Sequence, residues 1–211
     1  MSTQLNSVNI EAVKKTYLFY APFYDFLFGS TLEPGRRALS AKVRQLEPST
    51  LLEVGVGTGI LLSQYPTNTK IIGIDFSEEM LSIAEKKISM LDNKTIDLRL
   101  MDAEQMSFAD NTFDCVVMPY ILSVTPNPSQ LITEARRVCK QNGCIMIVNH
   151  FSGSSFWWFL EKLFKNAAEK IGFRSEFSYE AHIEGQDWQI EKVTSVNLFN
   201  LSKLIIIKNI K

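Results

Sequence analysis

The segment "LLEVGVGTGI", residues 51–60, is the strongest indication of the fold in this sequence. A short, mostly apolar run leads into three glycines that alternate with other residues, and an apolar segment follows. This pattern is typical of a buried strand that turns tightly into a helix, where a ligand can lie directly against the backbone. In an open sheet of parallel strands, such a turn lies at the carboxyl ends of the strands, where ligands bind.

Strand-like and helix-like segments alternate on both sides of this turn. Repeated strand–helix units with apolar strands predict an α/β fold with a parallel sheet covered by helices on both faces. A closing hairpin is predicted near residues 193–199 and 203–207. The predicted strands are residues 50–57, 70–76, 96–102, 113–120 and 143–150, and the predicted helices are residues 36–46, 59–64, 77–91, 129–139 and 155–170.

The composition narrows the class of protein. With 211 residues, of which 45% are apolar and 21% charged, we expect a single globular domain. A net charge of −1 argues against a nucleic-acid partner. The three cysteines form no paired pattern and the chain has two histidines, so we expect a reducing compartment and no metal site. No segment resembles a signal peptide or a membrane-spanning helix, and we therefore expect a cytoplasmic location.

The glycine turn favours one nucleotide ligand over another. A dinucleotide-binding turn needs a further glycine where this chain has Ile60. Glu53, two residues before the first glycine, would repel a pyrophosphate but attract a cationic amino group or sulfonium. S-adenosylmethionine carries those cations and no phosphate, so the sequence favours it as the cofactor.

A wider set of motifs supports that choice. The segment Glu53 to Gly59, Asp75 after the second strand, "DAE" at 102–104 and "FD" at 113–114 together resemble class I S-adenosylmethionine-dependent methyltransferases. The resemblance implies a Rossmann-like, seven-stranded, mostly parallel sheet with an antiparallel last strand, helices on both faces and an N-terminal helical lid.

The same resemblance implies roles for residues along the strand ends. It places Glu53 near the amino group of the cofactor, Asp75 on the ribose hydroxyls and Asp102 on the adenine amino group. Met118 and Tyr120 would line the path of the methyl group. The full cofactor set is Glu53, Gly55, Gly57, Gly59, Asp75, Phe76, Met80, Asp102, Ala103, Glu104, Met118 and Tyr120.

Finer features point to a branch of this family. "YAPFYDFLFG" at 20–29 with "GRR" at 35–37, "MDAE" at 101–104, "TPNP" at 125–128 and "VNH" at 148–150 resemble the soluble bacterial phosphatidylethanolamine N-methyltransferases. The ubiquinone/menaquinone C-methyltransferases are the nearest relatives of that branch by motif, so the chain resembles them as well. After residue 178 the chain departs from the pattern. The activity implied is N-methylation of a lipid head group, with S-adenosylhomocysteine as the second product.

The chemistry of such a reaction singles out residues for the methyl acceptor. A primary amine, with a pKa of about 10 by analogy with lysine, must lose a proton before it attacks a methyl carbon. Tyr24 and His150 are the candidate proton acceptors, although His150 can equally be a structural histidine beside Asn149. Aromatic faces bind methylated ammonium ions. The candidate substrate-binding residues are Tyr17, Tyr20, Tyr24, Arg36 and His150, with Arg36 and Arg37 either meeting a lipid phosphate or facing solvent.

A lipid substrate requires the protein to dock on a membrane surface. We expect residues 1–47 to form a helical lid and membrane contact, with Lys14 and Lys15 meeting anionic lipid, and residues 48–211 to form the cofactor-binding core. The segment 156–165, "FWWFLEKLFK", is either a second membrane contact or the buried face of a helix. The expected location is therefore peripheral, on the inner membrane face. Two other interpretations stay open: a methyltransferase acting on a quinone or small molecule, and a non-catalytic module that only binds the cofactor.

Overall fold

The computed structural model describes residues 32–91, 95–150, 183–184, 186, 188–197 and 201–211. The aromatic segment 17–29, with Tyr17, Tyr20 and Tyr24, and the predicted helix 155–170 lie outside these residues. The two-part division of the chain at residue 47 therefore stays a prediction.

Within the described residues, seven strands form one sheet, and their bounds follow the apolar runs of the sequence. The strands are β1 (Thr50–Val54), β2 (Lys70–Asp75), β3 (Ile96–Leu100), β4 (Phe113–Pro119), β5 (Cys139–His150), β6 (Gln189–Val196) and β7 (Ser202–Lys208). Their order in the sheet is β3-β2-β1-β4-β5-β7-β6. The first five strands pair in parallel, while β7 runs antiparallel to both β5 and β6. The predicted sheet, with its antiparallel last strand, is confirmed.

Helices cover both faces of the sheet, as the sequence predicts. The described helices are α1 (32–46), α2 (Glu78–Ile88) and α3 (Pro128–Val138). Leu39 and Val43 of α1 and Leu81 of α2 pack in one apolar cluster, on one face of the sheet. Leu131 and Ile132 of α3 pack in the other cluster, on the opposite face. Burial of these side chains fixes the helices against the strands.

The ends of α2 follow the capping rules. Its N-cap is Ser77, whose Oγ accepts a hydrogen bond from the Met80 N–H at 3.3 Å. Glu78 and Glu79 lie in the first turn and Lys86 and Lys87 in the last, which suits the helix dipole. The capping residue thus holds the start of this helix beside the end of β2.

Two local predictions are wrong. The predicted helix from Gly59 to Gln64 is only a 3-10 turn at Leu62–Gln64. Gly59 has φ +74° and belongs to the glycine turn, so no helix begins there. The segment ends before Pro66 because a residue before proline avoids the helical region, and Tyr65 is extended (φ −83°, ψ 160°). Cys139, predicted as the end of α3, is instead extended and begins β5.

The order of the strands locates a crevice. From β1 the chain moves outward through β2 and β3, and then returns to the other side of β1 to form β4 and β5. The connections that follow β1 and β4 therefore diverge at the carboxyl ends of these two central strands. This is the switch point at which open α/β sheets bind ligands.

Candidate functional site

Two adjoining cavities open at this switch point. The first is lined by the glycine turn after β1, by Arg36 of α1 and by residues 119–121 at the end of β4. The second, of about 240 Å³, lies between the ends of β2 and β3 and the loop after β4. Both cavities share Gly55, Asp75, Ile121 and Val124, so they form one elongated site.

The glycine turn brings bare backbone to the first cavity. Gly55, Gly57 and Gly59 all have positive φ, at 72°, 54° and 74°. A Cβ built on Gly57 would meet no atom within 4 Å, so a side chain there would project into open space beside the cavity. The Gly57 N–H donates to Asp75 Oδ2 at 2.8 Å, which ties the turn to the end of β2. Glycine at this position leaves room that a bound molecule can fill.

A buried carboxyl group lies at the same end of the site. Glu53 is only 2% exposed, and within the described part of the chain its Oε2 atom has no hydrogen-bond partner. Burial raises the pKa of Glu53 to about 8, while the Tyr65 hydroxyl and the Arg36 charge lower it and the Asp75 charge raises it further. A buried carboxylate oxygen without a partner is costly unless a donor completes it. The arrangement therefore suits a cationic ligand group.

Helix α1 contributes a positive charge opposite this carboxyl. Arg36 is 5% exposed, lines the first cavity, and holds its guanidinium 5.8 Å from the centre of the Tyr120 ring. The next residue, Arg37, has a side chain 75% exposed and pairs with Glu33 at 2.9 Å. Arg36 also contacts Glu33, at 3.9 Å, so the two arginines share this partner but differ in burial. Only Arg36 of the pair reaches the site.

Asp75 lies where the two cavities meet. Its Oδ2 accepts from the Gly57 N–H, and its Oδ1 accepts from the Ser77 N–H at 3.0 Å. Burial raises the pKa of this carboxyl, and the backbone N–H donors lower it. Phe76, at 36% exposed, lines the second cavity, while the buried Met80 lines the first. A carboxylate held in this way has lone pairs left for two adjacent hydroxyl groups.

The second cavity is shaped by the loop that follows β3. Asp102, Ala103 and Glu104 all line it, and Asp102 Oδ1 accepts from the Glu104 N–H at 2.8 Å. Glu104 Oε1 accepts from the Thr125 hydroxyl at 2.7 Å and from the Asn127 N–H at 2.6 Å. Glu104 thus joins this loop to the one after β4 and closes the wall of the cavity.

The two predicted residues at the end of β4 have different surroundings. Met118 is fully buried in the apolar core and is not among the described residues that line either cavity. Tyr120 lines the first cavity with φ +59°, a conformation that non-glycine residues adopt rarely. Its hydroxyl donates to the Leu32 carbonyl at 3.2 Å and accepts from Asn197 Nδ2 at 3.0 Å. Tyr120 therefore connects α1 to the far end of the sheet.

His150 ends β5 beside Tyr120. The centres of the two rings are 5.2 Å apart, tilted at 37°. His150 Nδ1 lies 2.7 Å from Ser202 Oγ and 3.2 Å from the Leu201 carbonyl oxygen. Burial lowers the pKa of His150, although the hydrogen bond to the Leu201 carbonyl raises it.

His150 is not among the described residues that line either cavity, and three side chains beside the site, which also do not line it, escaped the sequence analysis. Tyr65 comes close to Glu53 from the loop before β2, and Asn197 and Ser202 reach Tyr120 and His150 from the β6–β7 connection. None of them belongs to a recognisable motif. The positive φ of Asn197, 66°, fits the preference of asparagine for tight turns, which gives it a structural signal but no functional one.

The described ranges contain no group of three or more histidine, cysteine or acidic residues that could hold a metal. No helix in the part of the chain that the structure describes is long and apolar enough to cross a bilayer.

Comparisons with known proteins agree with this geometry. The family described as "Methyltransferase domain" matches residues 52–147. The phosphatidylethanolamine N-methyltransferase of Cereibacter sphaeroides is 38% identical over 175 residues, which cover 82% of this chain and 85% of that protein. The chain belongs to the class I S-adenosylmethionine-dependent methyltransferases.

Other relatives of this methyltransferase have names that indicate other methyl acceptors. The demethylmenaquinone methyltransferase of Lactobacillus johnsonii is 28% identical over 192 residues, which cover 84% of this chain and 79% of that protein. A solved S-adenosylmethionine-dependent methyltransferase of Methanosarcina mazei superposes with a TM-score of 0.62 at 20% identity, covering 76% of this chain and 92% of that one. That last likeness concerns the fold.

The described residues of this methyltransferase fit S-adenosylmethionine. The methionine part of the cofactor carries an ammonium and a carboxylate, and the first cavity offers an unpartnered Glu53 oxygen and the Arg36 guanidinium. The ribose carries two adjacent hydroxyls, and Asp75 lies between the two cavities. The cofactor has no phosphate, which agrees with the acidic lining.

Proposed function

We propose that the protein transfers methyl groups from S-adenosylmethionine to the ethanolamine nitrogen of phosphatidylethanolamine at a membrane surface. The observation that carries this proposal is the 38% identity to the Cereibacter sphaeroides enzyme, which extends over 82% of this chain. The 175 aligned residues are many more than the glycine turn and its flanks contain, so the likeness includes segments outside the cofactor-binding motifs.

The cofactor end of the site is proposed to work through three side chains. Glu53 accepts the ammonium group of the methionine part, and Asp75 accepts the ribose hydroxyls. Arg36, which the sequence analysis considered for a lipid phosphate, is assigned instead to the methionine carboxylate because it is buried beside the Glu53 cavity. The adenine part is proposed to lie in the second cavity, lined by Phe76, Asp102, Ala103 and Glu104.

The acceptor end must present a neutral amine to an electrophilic carbon. When bound, S-adenosylmethionine supplies that carbon as its sulfonium methyl group. The task of the chain is to hold the amine in line and to exclude water. Tyr24 remains the proposed proton acceptor, and His150 is proposed to contact the head group from the end of β5. Tyr17, Tyr20 and Tyr24 are proposed to bind the methylated ammonium through their ring faces.

The proposed membrane contact is peripheral. The aromatic segment 17–29 would enter the lipid interface, with Lys14 and Lys15 drawn to anionic lipid. Flotation of the protein with vesicles of phosphatidylethanolamine, with and without an anionic lipid, tests this contact. We expect co-flotation that increases with the anionic fraction and falls with salt. Protein that stays in the aqueous fraction at every lipid composition would contradict the proposed contact.

Labelled cofactor tests the proposed reaction directly. The protein is incubated with methyl-labelled S-adenosylmethionine and vesicles of phosphatidylethanolamine. A parallel sample contains the same vesicles with demethylmenaquinone added. We expect label in the lipid head group and none in the quinone. The Gly57→Val variant serves as the matched control, because it should fail to use the cofactor with either acceptor.

A quinone methyltransferase is the second candidate function. The likeness to the Lactobacillus johnsonii enzyme over 84% of this chain favours it. Label in the quinone with none in the lipid would replace the first proposal by this one. Mass spectrometry of lipids from a host that lacks methylated phospholipids, after expression of this chain, provides the same decision in cells.

A further inference from the structure

One amide group links four separate elements beside Tyr120 at the edge of the first cavity, a region that we call the acceptor end of the site. The side chain of Asn197, in the turn after β6, accepts from the Gly35 N–H of α1 at 2.8 Å through Oδ1. Its Nδ2 donates to the Tyr120 hydroxyl at 3.0 Å and to Ser202 Oγ at 2.7 Å. Ser202 Oγ in turn lies 2.7 Å from His150 Nδ1. Residues from α1, the end of β4, the start of β7 and the end of β5 thus share one set of hydrogen bonds.

The directions of these hydrogen bonds follow from the groups involved. The Gly35 N–H can only donate, so Oδ1 of Asn197 must face it and the Asn197 NH₂ must face Tyr120 and Ser202. Ser202 Oγ therefore accepts a hydrogen bond from the Asn197 NH₂ group. Its own hydroxyl proton remains to be donated, and within the described residues His150 Nδ1 is the acceptor in reach.

Two described groups lie within hydrogen-bond distance of His150 Nδ1. The Leu201 carbonyl, at 3.2 Å, can only accept and would require a proton on Nδ1. The Ser202 hydroxyl, at the shorter distance of 2.7 Å, satisfies all its bonds if Nδ1 has no proton. Ser202 is 1% exposed, so a hydroxyl proton without an acceptor would be costly there. The shorter contact and the burial of Ser202 both favour an unprotonated Nδ1.

We propose that Asn197 and Ser202 are positioning residues that place the proton of His150 on Nε2 whenever the ring carries a single proton. His150 then acts as a hydrogen-bond donor through Nε2 and is not the group that takes the proton of the substrate amine. An N–H donor suits an oxygen acceptor, such as the phosphate or an ester carbonyl of a lipid. The assignment of a lipid oxygen rests on the proposed function, whereas the position of the proton does not.

The position of this proton can be measured without any methyl acceptor. Nitrogen-15 NMR of the full-length protein, labelled on histidine, distinguishes protonated from unprotonated ring nitrogens. The chain has two histidines, and the His182→Gln variant assigns their signals. We expect wild-type His150 to show a proton on Nε2 and a bare Nδ1 at pH 7. A proton on Nδ1 with a bare Nε2 would overturn the proposal.

Variants test whether Ser202 and Asn197 are the cause. Ser202→Ala leaves the Leu201 carbonyl as the partner of Nδ1, so we expect the dominant tautomer to invert, and Ser202→Thr should restore it. Asn197→Gly keeps a residue that tolerates φ +66° but removes the amide, and a mixture of both tautomers is expected. The matched control is Asn142→Gly, another asparagine with positive φ (60°), which should change nothing. An unaltered tautomer in both Ser202→Ala and Asn197→Gly would refute the proposed relay, that is, the hydrogen bonds from Asn197 through Ser202 to His150.

The same variants separate this proposal from the proposed function. A bare Nδ1 in a protein that labels no lipid would leave the relay standing and remove the lipid activity. Lipid labelling in a protein whose His150 carries its proton on Nδ1 would do the opposite. His150→Gln, which can donate from near the Nε2 position, should retain more turnover than His150→Asn. Equal loss in both variants would count against the donor role.

Discussion

The two ends of the site are built in different ways. At the proposed cofactor end, Glu53, Asp75 and Asp102 lie within or directly after β1, β2 and β3. The backbone of the glycine turn forms much of the wall, and Arg36 comes from α1. At the acceptor end, the groups come from distant parts of the chain: Gly35 bonds Asn197 across 162 positions, and Tyr120 bonds Asn197 across 77. The first end is local in sequence, while the second is assembled by tertiary structure.

The two ends also differ in charge. Glu53, Arg36 and Asp75 place three ionisable groups around the first cavity. The acceptor end consists of Tyr120, Asn197, Ser202 and a histidine whose pKa burial lowers. Charged groups suit a zwitterionic cofactor, and neutral hydrogen-bonding groups suit an amine that must lose its charge before it reacts. Substitutions at the two ends test this division.

The glycine turn should tolerate no side chain at its centre. Gly57→Val would fill the open space beside the cavity at a backbone position with φ +54°. We expect binding of S-adenosylhomocysteine to weaken by about 1,000-fold or more, which corresponds to about 4 kcal/mol. Isothermal calorimetry measures this change. Gly57→Ala is the control for backbone strain, and equal affinity of the Val variant and the wild type would refute the placement of the cofactor.

Most residues that line the two cavities could be located from the sequence because their signals are local. Glycines at a strand end, a carboxylate two residues before them and Asp75 at the end of β2 each follow from one segment of chain. Met118 is the exception: β4 is apolar on both faces, so its alternation does not tell which side chains reach a cavity and which fill the core.

The acceptor end was harder to predict because its contacts are long-range. Nothing near Asn197 or Ser202 in the sequence indicates that they meet His150. Arg36 did carry a usable signal, since it shares an inward helical face with Leu39 and Val43, at spacings of three and seven residues. Arg37, one residue later, falls on the exposed face.

Burial of Glu53 predicts a pH dependence of the stability of the cofactor-free protein. Its pKa rises from 4.5 to about 8 on folding because of burial and, to a smaller extent, the Asp75 charge, while the Tyr65 hydroxyl and the Arg36 charge oppose the rise. Between these values the folded chain holds one more proton than the unfolded chain. The free energy of unfolding should therefore fall as the pH rises, by at most about 1.4 kcal/mol per pH unit from this group.

Chemical denaturation between pH 5 and 8 measures that dependence. Glu53→Gln has no titrating carboxyl, so its stability should decline less with pH than that of the wild type. Parallel curves for the two proteins would show that the carboxyl of Glu53 does not hold its proton in the folded state.

The same variant should weaken cofactor binding. Glu53→Gln keeps the size of the side chain but removes the negative charge that faces the ammonium group in our proposal. We expect the affinity for S-adenosylhomocysteine to fall by about 100-fold, or about 2.7 kcal/mol. Calorimetry at pH 8.5, where the wild-type carboxyl is mostly ionised, gives the clearest contrast. A Gln variant that binds as tightly as the wild type would remove Glu53 from the cofactor contacts.

Arg36 and Arg37 form a matched pair for the positive charge. Arg36→Met should lower the affinity for S-adenosylhomocysteine by about tenfold, or about 1.4 kcal/mol, because the carboxylate loses its partner. Arg37→Met, on the exposed side of the same helix turn, should leave it unchanged. If Arg36 instead meets a lipid phosphate, its variant would raise the KM for lipid and leave cofactor affinity intact.

The smallest effect is expected where the two ends of the site meet. Tyr120→Phe removes the hydroxyl that joins the Leu32 carbonyl to Asn197, and it keeps the ring under Arg36. We expect the free energy of unfolding to fall by about 1 kcal/mol, the usual net value of a hydrogen bond, with cofactor affinity changed by less than about twofold. Thermal denaturation and calorimetry on the same samples measure both quantities. A large loss of cofactor affinity would show that the two ends are coupled through Tyr120, because the hydrogen bonds described for its hydroxyl go to the Leu32 carbonyl and to Asn197.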